Sequence, residues 1–274
     1  LGQGELGVID PAKACLYIPN GLSPFKQKLF DRLAARVGLV SRGNVAQMES
    51  LPPDILPIVG CSPELTKLIR QWRAAGRTFC YWDRGYLRRV FAASLPRAAS
   101  LEVSYYRWHI NAYQMRSIGD VPNDRWKALG YGQEVRPWAK GGKHIVIAAP
   151  SRTYARFHDC ESWIADTIDA LARVTGRQLV IRDKEQVRTR PLQKDLEGAH
   201  ALVTHGSIAA VESVVLGCPV FVHPDSAAAL VGQTDLKQIE TPIYPDRQPF
   251  LNSLAYNQWT ETEMFNGVMW SMLR

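Results

Sequence analysis

Short, wholly apolar runs alternate along the chain with stretches in which apolar residues recur every three or four positions. Ala14 to Ile18 is such a run and predicts a strand, and Pro19-Asn20-Gly21 then turns the chain. From Pro24 onward Phe25, Leu29, Leu33 and Val37 lie four apart, one helix face with a proline in its first turn and Gly38 at its end. Ile55 to Val59 predicts the next strand despite Pro57. Ser62 can cap a helix whose face is Leu65, Leu68, Ile69 and Trp72 and which Gly76 ends; Thr78 to Trp82 is a strand again. Strand and helix in alternation with short turns imply a parallel sheet with helices outside it.

Between residues 83 and 138 the periodicity fades, although aromatic residues are too dense there for a disordered segment. Ala139-Lys140-Gly141-Gly142-Lys143 reads as a linker. Beyond it the alternation restarts. His144 to Ala149 is a buried-type strand. Trp163, Ile164, Ile168, Leu171 and Ala172 form a helix face closed by Gly176, and Gln178 to Ile181 is the next strand. A short helix over Pro191 to Gly198 follows, then a strand over Ala201 to Val203, a helix over Ile208 to Leu216 stopped by Gly217, and a strand over Val220 to Val222. The expected fold class is α/β, with two Rossmann-like lobes facing across a cleft. Residues 1–138 form the first lobe and 139–274 the second, with the last helix crossing back. Ligand is expected at the C-terminal ends of the strands. One large doubly wound domain is the alternative.

Composition narrows the chemistry. The 274 residues are 46% hydrophobic and 22% charged, enough for a sizeable core. A net charge of +7 suits anionic partners, from nucleotide phosphates to nucleic acid. The five cysteines are odd in number, widely spaced and set in apolar company, which reads as reduced core thiols of a cytoplasmic protein. The six histidines form no metal-ligand spacing, so no metal and no other cofactor is expected. No apolar stretch is long enough to span a membrane.

The sharpest motif runs from Ala201 to Glu212. A strand ends in Thr204-His205-Gly206-Ser207 and a helix opens behind it. Gly206 permits close approach of a ligand, Ser207 can cap the helix, and an anion there would meet free amides and the positive end of the helix dipole. Glu212, about one turn on, can accept bonds from sugar hydroxyls. A tight packing turn is the other reading. The segment resembles the nucleotide-sugar site of GT-B glycosyltransferases, closest to capsule polysaccharide transferases and related sugar-nucleotide epimerases, and the likeness continues through the strand Cys218 to Val222. Three further phrases resemble uncharacterised bacteriophage proteins predicted to be glycosyltransferases. They are Tyr81-Trp82-Asp83-Arg84-Gly85-Tyr86, the stretch from Tyr106 to Gln114, and Leu254-Ala255-Tyr256-Asn257-Gln258-Trp259. The resemblance implies a nucleotide-sugar donor, a UDP-sugar, and a location in the host cytoplasm for a phage protein. In the resembled fold the loop Ala149-Pro150-Ser151-Arg152 borders the diphosphate. Ser151 and Arg152, with Arg182 and Lys184 after the next strand, would gather on that same edge as Thr204 to Ser207.

For an acceptor hydroxyl, Asp83 at the end of its strand is the expected general base, with His109 and Glu102 as rivals. Arg84 and Arg88 can hold that carboxylate or an acceptor phosphate. Arg84, Arg88, Arg107 and neighbouring arginines are interleaved with Tyr86 and other aromatics, and Asn111 closes the stretch. That mixture suits a phosphate backbone and an exposed base, such as a hydroxymethylated pyrimidine in phage DNA turned out of the duplex. An ordinary packing layer with a basic rim has the same composition. The sequence holds no Gly-x-Ser-x-Gly elbow, no P-loop and no DxD pair. Besides sugar transfer to DNA, transfer to a surface or capsule glycan, a non-catalytic nucleic-acid or nucleotide-binding module and a sugar-nucleotide epimerase stay open.

Overall fold

A computed structural model describes residues 9–87, 105–130, 135–183 and 190–273. The chain divides into two compact units, Leu1–Tyr113 with Asn257–Arg274, and Gln114–Tyr256. Residues 114–138, placed with the first lobe from sequence, thus group with the second unit, and 257–274 with the first.

Unit 1 is built on a six-stranded sheet, in the order β10-β5-β4-β3-β1-β2. The strands are β1 (Ala14–Ile18), β2 (Leu39–Arg42), β3 (Leu56–Val59), β4 (Cys80–Arg84), β5 (Tyr105–Ile110) and β10 (Gln258–Thr260). β1 to β4 are mutually parallel, while β5 runs antiparallel to β4 and β10 antiparallel to β5. All five residues of β1 are buried, as a central parallel strand covered on both faces requires. Leu16 and Ile18 meet Leu29, Phe30 and Leu33 of α1 (Pro24–Ala34). On the other face Cys15 lies beside Met48 of α2 (Val45–Glu49), and the Tyr17 hydroxyl donates to Glu64 at 3.0 Å. α3 (Thr66–Ala74) buries Leu68, Ile69 and Trp72. α1 ends at Ala34, short of the expected Gly38, because the chain must turn into β2. Gly38 lies so close to Ala12 that a Cβ would stand 1.9 Å from its carbonyl oxygen.

The stretch expected to be irregular contains β5. Its register with β4 ends at Ile110, opposite Cys80, and the backbone of the next residue, Asn111, adopts φ 56°. The Asn111 N–H donates to Phe79 O, and its side-chain oxygen accepts from Phe79 N, both at 2.9 Å. After β10 the chain forms α10 (Glu261–Phe265), opened by a capping box between Thr260 and Glu263, and α11 (Val268–Met272). These helices close the α1 side of the core: Trp270 meets Trp108 edge-on at 5.5 Å, and Arg32 of α1 pairs with Glu261 at 2.5 Å.

Unit 2 has a four-stranded parallel sheet, β7-β6-β8-β9, made of β6 (His144–Ala148), β7 (Gln178–Arg182), β8 (Ala199–Thr204) and β9 (Val220–Val222). Its helices are α4 (Asp124–Ala128), α5 (Arg152–His158), α6 (Trp163–Ala172), α7 (Leu192–Leu196), α8 (Ala209–Val215) and α9 (Gln248–Tyr256). Ile145, Ile147, Leu171, Ala201, Val203 and Phe221 form a core between sheet and helices.

The segment before β6, read as a linker, is fastened to the end of α8. Arg136 N–H donates to Val215 O at 2.9 Å and Ala139 N–H to Gly217 O at 2.7 Å. The Arg247 guanidinium lies over Trp138 at 4.3 Å and donates to the Val214 and Arg136 carbonyls. Gly217 ends α8 at φ 79°, and a Cβ there would stand 2.1 Å from Pro137 O.

In both sheets the first strand is central, the second lies on one side, and the third and fourth lie on the other. The order reverses between β1 and β3 and again between β6 and β8. In open parallel sheets such a reversal leaves a crevice beyond the carboxyl ends of the strands.

Candidate active site

In unit 1 the crevice at the reversal holds a cavity of about 150 Å3. Pro19 follows β1, Gly60, Cys61 and Ser62 follow β3, and Trp82, Asp83 and Arg84 end β4. Leu22, Lys26, Leu29, Phe30 and Tyr106 complete the lining. Its walls are mostly apolar and its polar groups sit at strand ends, which is the usual make-up of a small-molecule site. Asp83 is held in a fixed orientation. Its Oδ2 accepts from Arg107 Nη2 at 2.9 Å and from the Tyr81 hydroxyl at 3.4 Å, and its Oδ1 accepts from the Arg84 amide at 2.7 Å. The Asp83 side chain keeps 36% of its surface exposed, whereas that of Arg107 keeps 4%. Arg107 Nη1 donates to Arg84 O at 3.0 Å, and the guanidinium lies over the Tyr86 ring at 5.2 Å. Burial, with the Asp83 charge nearby, pushes the Cys61 thiol up to about 12, so it stays protonated at neutral pH.

Of the other residues predicted for acceptor binding or catalysis, Tyr86, Arg107 and His109 lie inside the unit. Tyr86 is fully buried, and its hydroxyl meets His109 Nε2 at 2.6 Å. Burial, then the Arg107 charge, pulls the His109 pKa down to about 3, so the imidazole is neutral and serves packing instead of acting as a surface base. Asn111 is spent on Phe79, as described. Arg107 reaches Asp83 from the interior and does not extend toward a phosphate backbone. Tyr106 and Trp108 are buried as well, so the aromatic spacing reflects a packing layer around Trp82, which stacks on Trp108 at 5.4 Å. Arg84 is exposed on the cavity rim. Arg88, Arg89, Arg97 and Glu102 lie outside the described residues.

At the matching reversal of unit 2, side chains pack tightly. Gly206 is required there by a protein group: a Cβ would stand 2.2 Å from the Tyr154 hydroxyl. Gln114 Nε2 donates to Gly206 O at 2.9 Å and its Oε1 accepts from Ala227 N at 2.9 Å, tying the loops after β8 and β9 together. The Tyr154 hydroxyl lies 3.1 Å from His205 Nδ1, and the His205 ring stacks on His223 at 4.3 Å. Burial, with His223 adding to it, pulls His205 down to about 4. Thr204 is buried and donates its hydroxyl to Ala148 O at 2.8 Å.

Ser151 caps α5, accepting from Tyr154 N at 3.2 Å, and Ser207 accepts from Ala209 N at 3.3 Å. Arg182, predicted to face a phosphate, is buried. It pairs with Asp195 and donates to Arg190 O at 2.7 Å, and Arg190 Nε also reaches Asp195 at 2.7 Å. Burial of the Asp195 carboxylate explains this: it needs cationic partners, and Arg182 is one of them. Arg152 is exposed and Glu212 half-buried, while Lys184 lies outside the described residues. Sequence reading missed Lys26, Tyr81 and Cys61 around Asp83, and Gln114, Tyr154 and His223 around His205. Tyr81 and Gln114 lie within phrases quoted for the resemblance, but no pattern gave any of the six a role at these sites; only the fold brings them together.

Among the described residues no group of three or more His, Cys, Asp or Glu side chains could hold a metal ion, and no helix is long and apolar enough to cross a membrane. Two β-sheet cores flanked by helices, with the same strand order, make a GT-B-like, two-lobed Rossmann architecture. A similar solved structure is that of Thermosulfurimonas dismutans KpsC, a beta Kdo 2,7 transferase. The TM-score is 0.50 at 14% identity, over 92% of this chain and 98% of that one. Similarity at this level establishes the fold. Neither the protein-family models nor the curated proteins match the chain.

Proposed function

We propose that the protein is a glycosyltransferase that moves a sugar from a nucleotide-diphosphate donor, a UDP-sugar, to a hydroxyl. The observation that carries this is Asp83: a partly exposed carboxylate, oriented from behind by buried Arg107, on the wall of a ring-sized cavity at the strand reversal of unit 1. The acceptor oxygen attacks the anomeric carbon, the bond from that carbon to the phosphate oxygen breaks, and the nucleoside diphosphate leaves. The acceptor proton passes to the Asp83 carboxylate as attack proceeds. The donor is assigned to the strand-end loops of unit 2, which carry Arg152, Ser207 and, one turn into the helix, Glu212.

For the acceptor we propose a hydroxymethylated pyrimidine in DNA. Its support is charge: unit 1 carries 16 Lys and Arg against 10 Asp and Glu, and unit 2 carries 17 against 16. A basic unit beside the general base favours a polyanionic acceptor. A surface sugar is the second acceptor class, favoured by the name of the KpsC structure, a Kdo transferase.

Incubating the protein with labelled nucleotide sugars, hydroxymethyl-base DNA and glycan acceptors tests the proposal. Label should enter one acceptor class, and Asp83→Asn should abolish that while donor still binds. Absence of both transfer and donor hydrolysis across the panel rejects it, and DNA binding that is indifferent to Asp83→Asn, without turnover, points to a binding module.

A further inference from the structure

We infer that the cavity of unit 1 selects its ligand by charge: it seats a single hydroxyl-bearing six-membered ring joined to an anionic group, and Lys26 and Arg84 receive that group. Calling this ligand the acceptor rests on the sugar-transfer proposal; the cavity, its walls and its rim do not.

Size comes first. A dry cavity of about 150 Å3 accommodates one benzene-sized ring, and the unit 1 cavity has a volume of about 150 Å3. One ring fills that volume, and whatever is joined to the ring extends from the mouth.

The walls come second. Leu22, Leu29, Phe30, Trp82 and Tyr106 present apolar surface. The Trp82 indole is clamped, edge-on to Phe30 at 5.0 Å and stacked on Trp108 at 5.4 Å, so this wall is pre-formed. Such walls suit the flat face of a pyrimidine or the C–H face of a pyranose.

The rim is third. Lys26 and Arg84 both line the cavity and both are exposed, and among the described lining residues Asp83 is the lone carboxylate. Asp83 is already engaged by Arg107, so it does not neutralise the two rim cations. The Cys61 thiol, protonated at neutral pH, adds no negative charge. An anion at this mouth meets two cations, while a ring hydroxyl directed inward reaches the remaining lone pairs of Asp83.

Two kinds of molecule have this chemistry, a pyrimidine nucleotide and a sugar acid. Calorimetric titration of the full chain, without donor, separates them. The probes are 5-hydroxymethyl-deoxycytidine monophosphate with its uncharged nucleoside, and glucuronate with glucose. At least one anionic probe should bind about tenfold more tightly than its neutral partner, a preference that weakens with added salt. The double variant Lys26→Gln, Arg84→Gln should erase the preference. Both side chains are exposed, so the thermal melt should not move, and an unchanged melt shows that the loss is local. Leu22→Trp, which fills the cavity, should abolish binding of every probe.

Equal affinity for charged and neutral partners, no binding of either anionic probe, or a preference that survives the double variant overturns the inference. A chain that binds anionic probes yet transfers no sugar rejects the transferase proposal alone. Transfer to neutral and anionic acceptors alike rejects charge selection alone.

Discussion

At the strand reversal of unit 1, Gly60 stands beside an open cavity, and a Cβ added to it would come no closer than 3.5 Å to another residue. At the corresponding reversal of unit 2, a Cβ on Gly206 would run into the Tyr154 hydroxyl at 2.2 Å. The same strand order therefore produces one crevice left open next to a carboxylate and one packed with Tyr154, His205 and Gln114. Topology makes the crevice; the side chains that enter it decide how closely protein packs there. A glycine after a strand carries either meaning, and its neighbours in space tell them apart.

The largest expected contrast between the two edges is catalytic. Asp83→Asn should lower kcat by about 10²–10⁴-fold, the size expected for a lost general base, and should also lower the melting temperature, because buried Arg107 loses its counter-charge. His205→Gln, at the other edge, should act on stability and donor affinity first. Steady-state kinetics with both variants decides this, and a larger kcat loss for His205→Gln would reverse the assignment of the two edges.

Next in size is the buried ion pair of unit 2. Asp195→Ala leaves Arg182 without its carboxylate in the interior and should cost about 3–5 kcal/mol in denaturant unfolding. A cost near zero would mean that Arg182 is free to turn toward a ligand after all.

His109 supplies a pH test confined to unit 1. Its folded pKa of about 3 lies below the ordinary 6.5, so the unfolded chain takes up this proton first as pH falls. Stability from this residue is complete above about pH 6.5 and is lost progressively toward pH 3, amounting to about 2 kcal/mol by pH 5. The melting temperature of His109→Gln should therefore fall less than that of the native chain between pH 7 and pH 5.

The smallest effect concerns the filled crevice. Gly206→Ala should destabilise by about 1–2 kcal/mol through overpacking, and Tyr154→Phe in the same chain should recover most of it by removing the clashing oxygen. Additive losses in this double-mutant cycle would show that Tyr154 is not what requires the glycine.

Much of the fold was legible from residue order alone. The buried parallel strands β1, β3, β4, β6, β8 and β9 are short apolar runs, and α1, α3, α6 and α8 announce themselves by period and by glycine stops, because burying two sheet faces demands that pattern; the edge strand β7 was legible from Leu179-Val180-Ile181 although it is only partly buried. β2 was hidden because an edge strand such as Leu39-Val40-Ser41-Arg42 need not be apolar. β5 and β10 were hidden because antiparallel pairing joins residues far apart in the chain, as Trp259 with Tyr106. Asp83 was recognisable by its place at a strand end. What its sequence neighbours do was not: Tyr86, Arg107 and His109 have the composition of a binding surface and the positions of a core, and Asn111, though exposed, has its side-chain oxygen turned back to the Phe79 amide.

The sequence by itself determined the alternation of strand and helix, the positions of the strand ends and the net positive charge, because these depend on local pattern and composition. Only the tertiary structure decided which strand-end residues meet, that Arg182 serves Asp195, that Tyr154 fills the turn at Gly206, and that Lys26 joins Asp83 and Arg84 around one cavity. Side-chain direction and burial are set by packing between segments distant in the chain, and no local pattern encodes them.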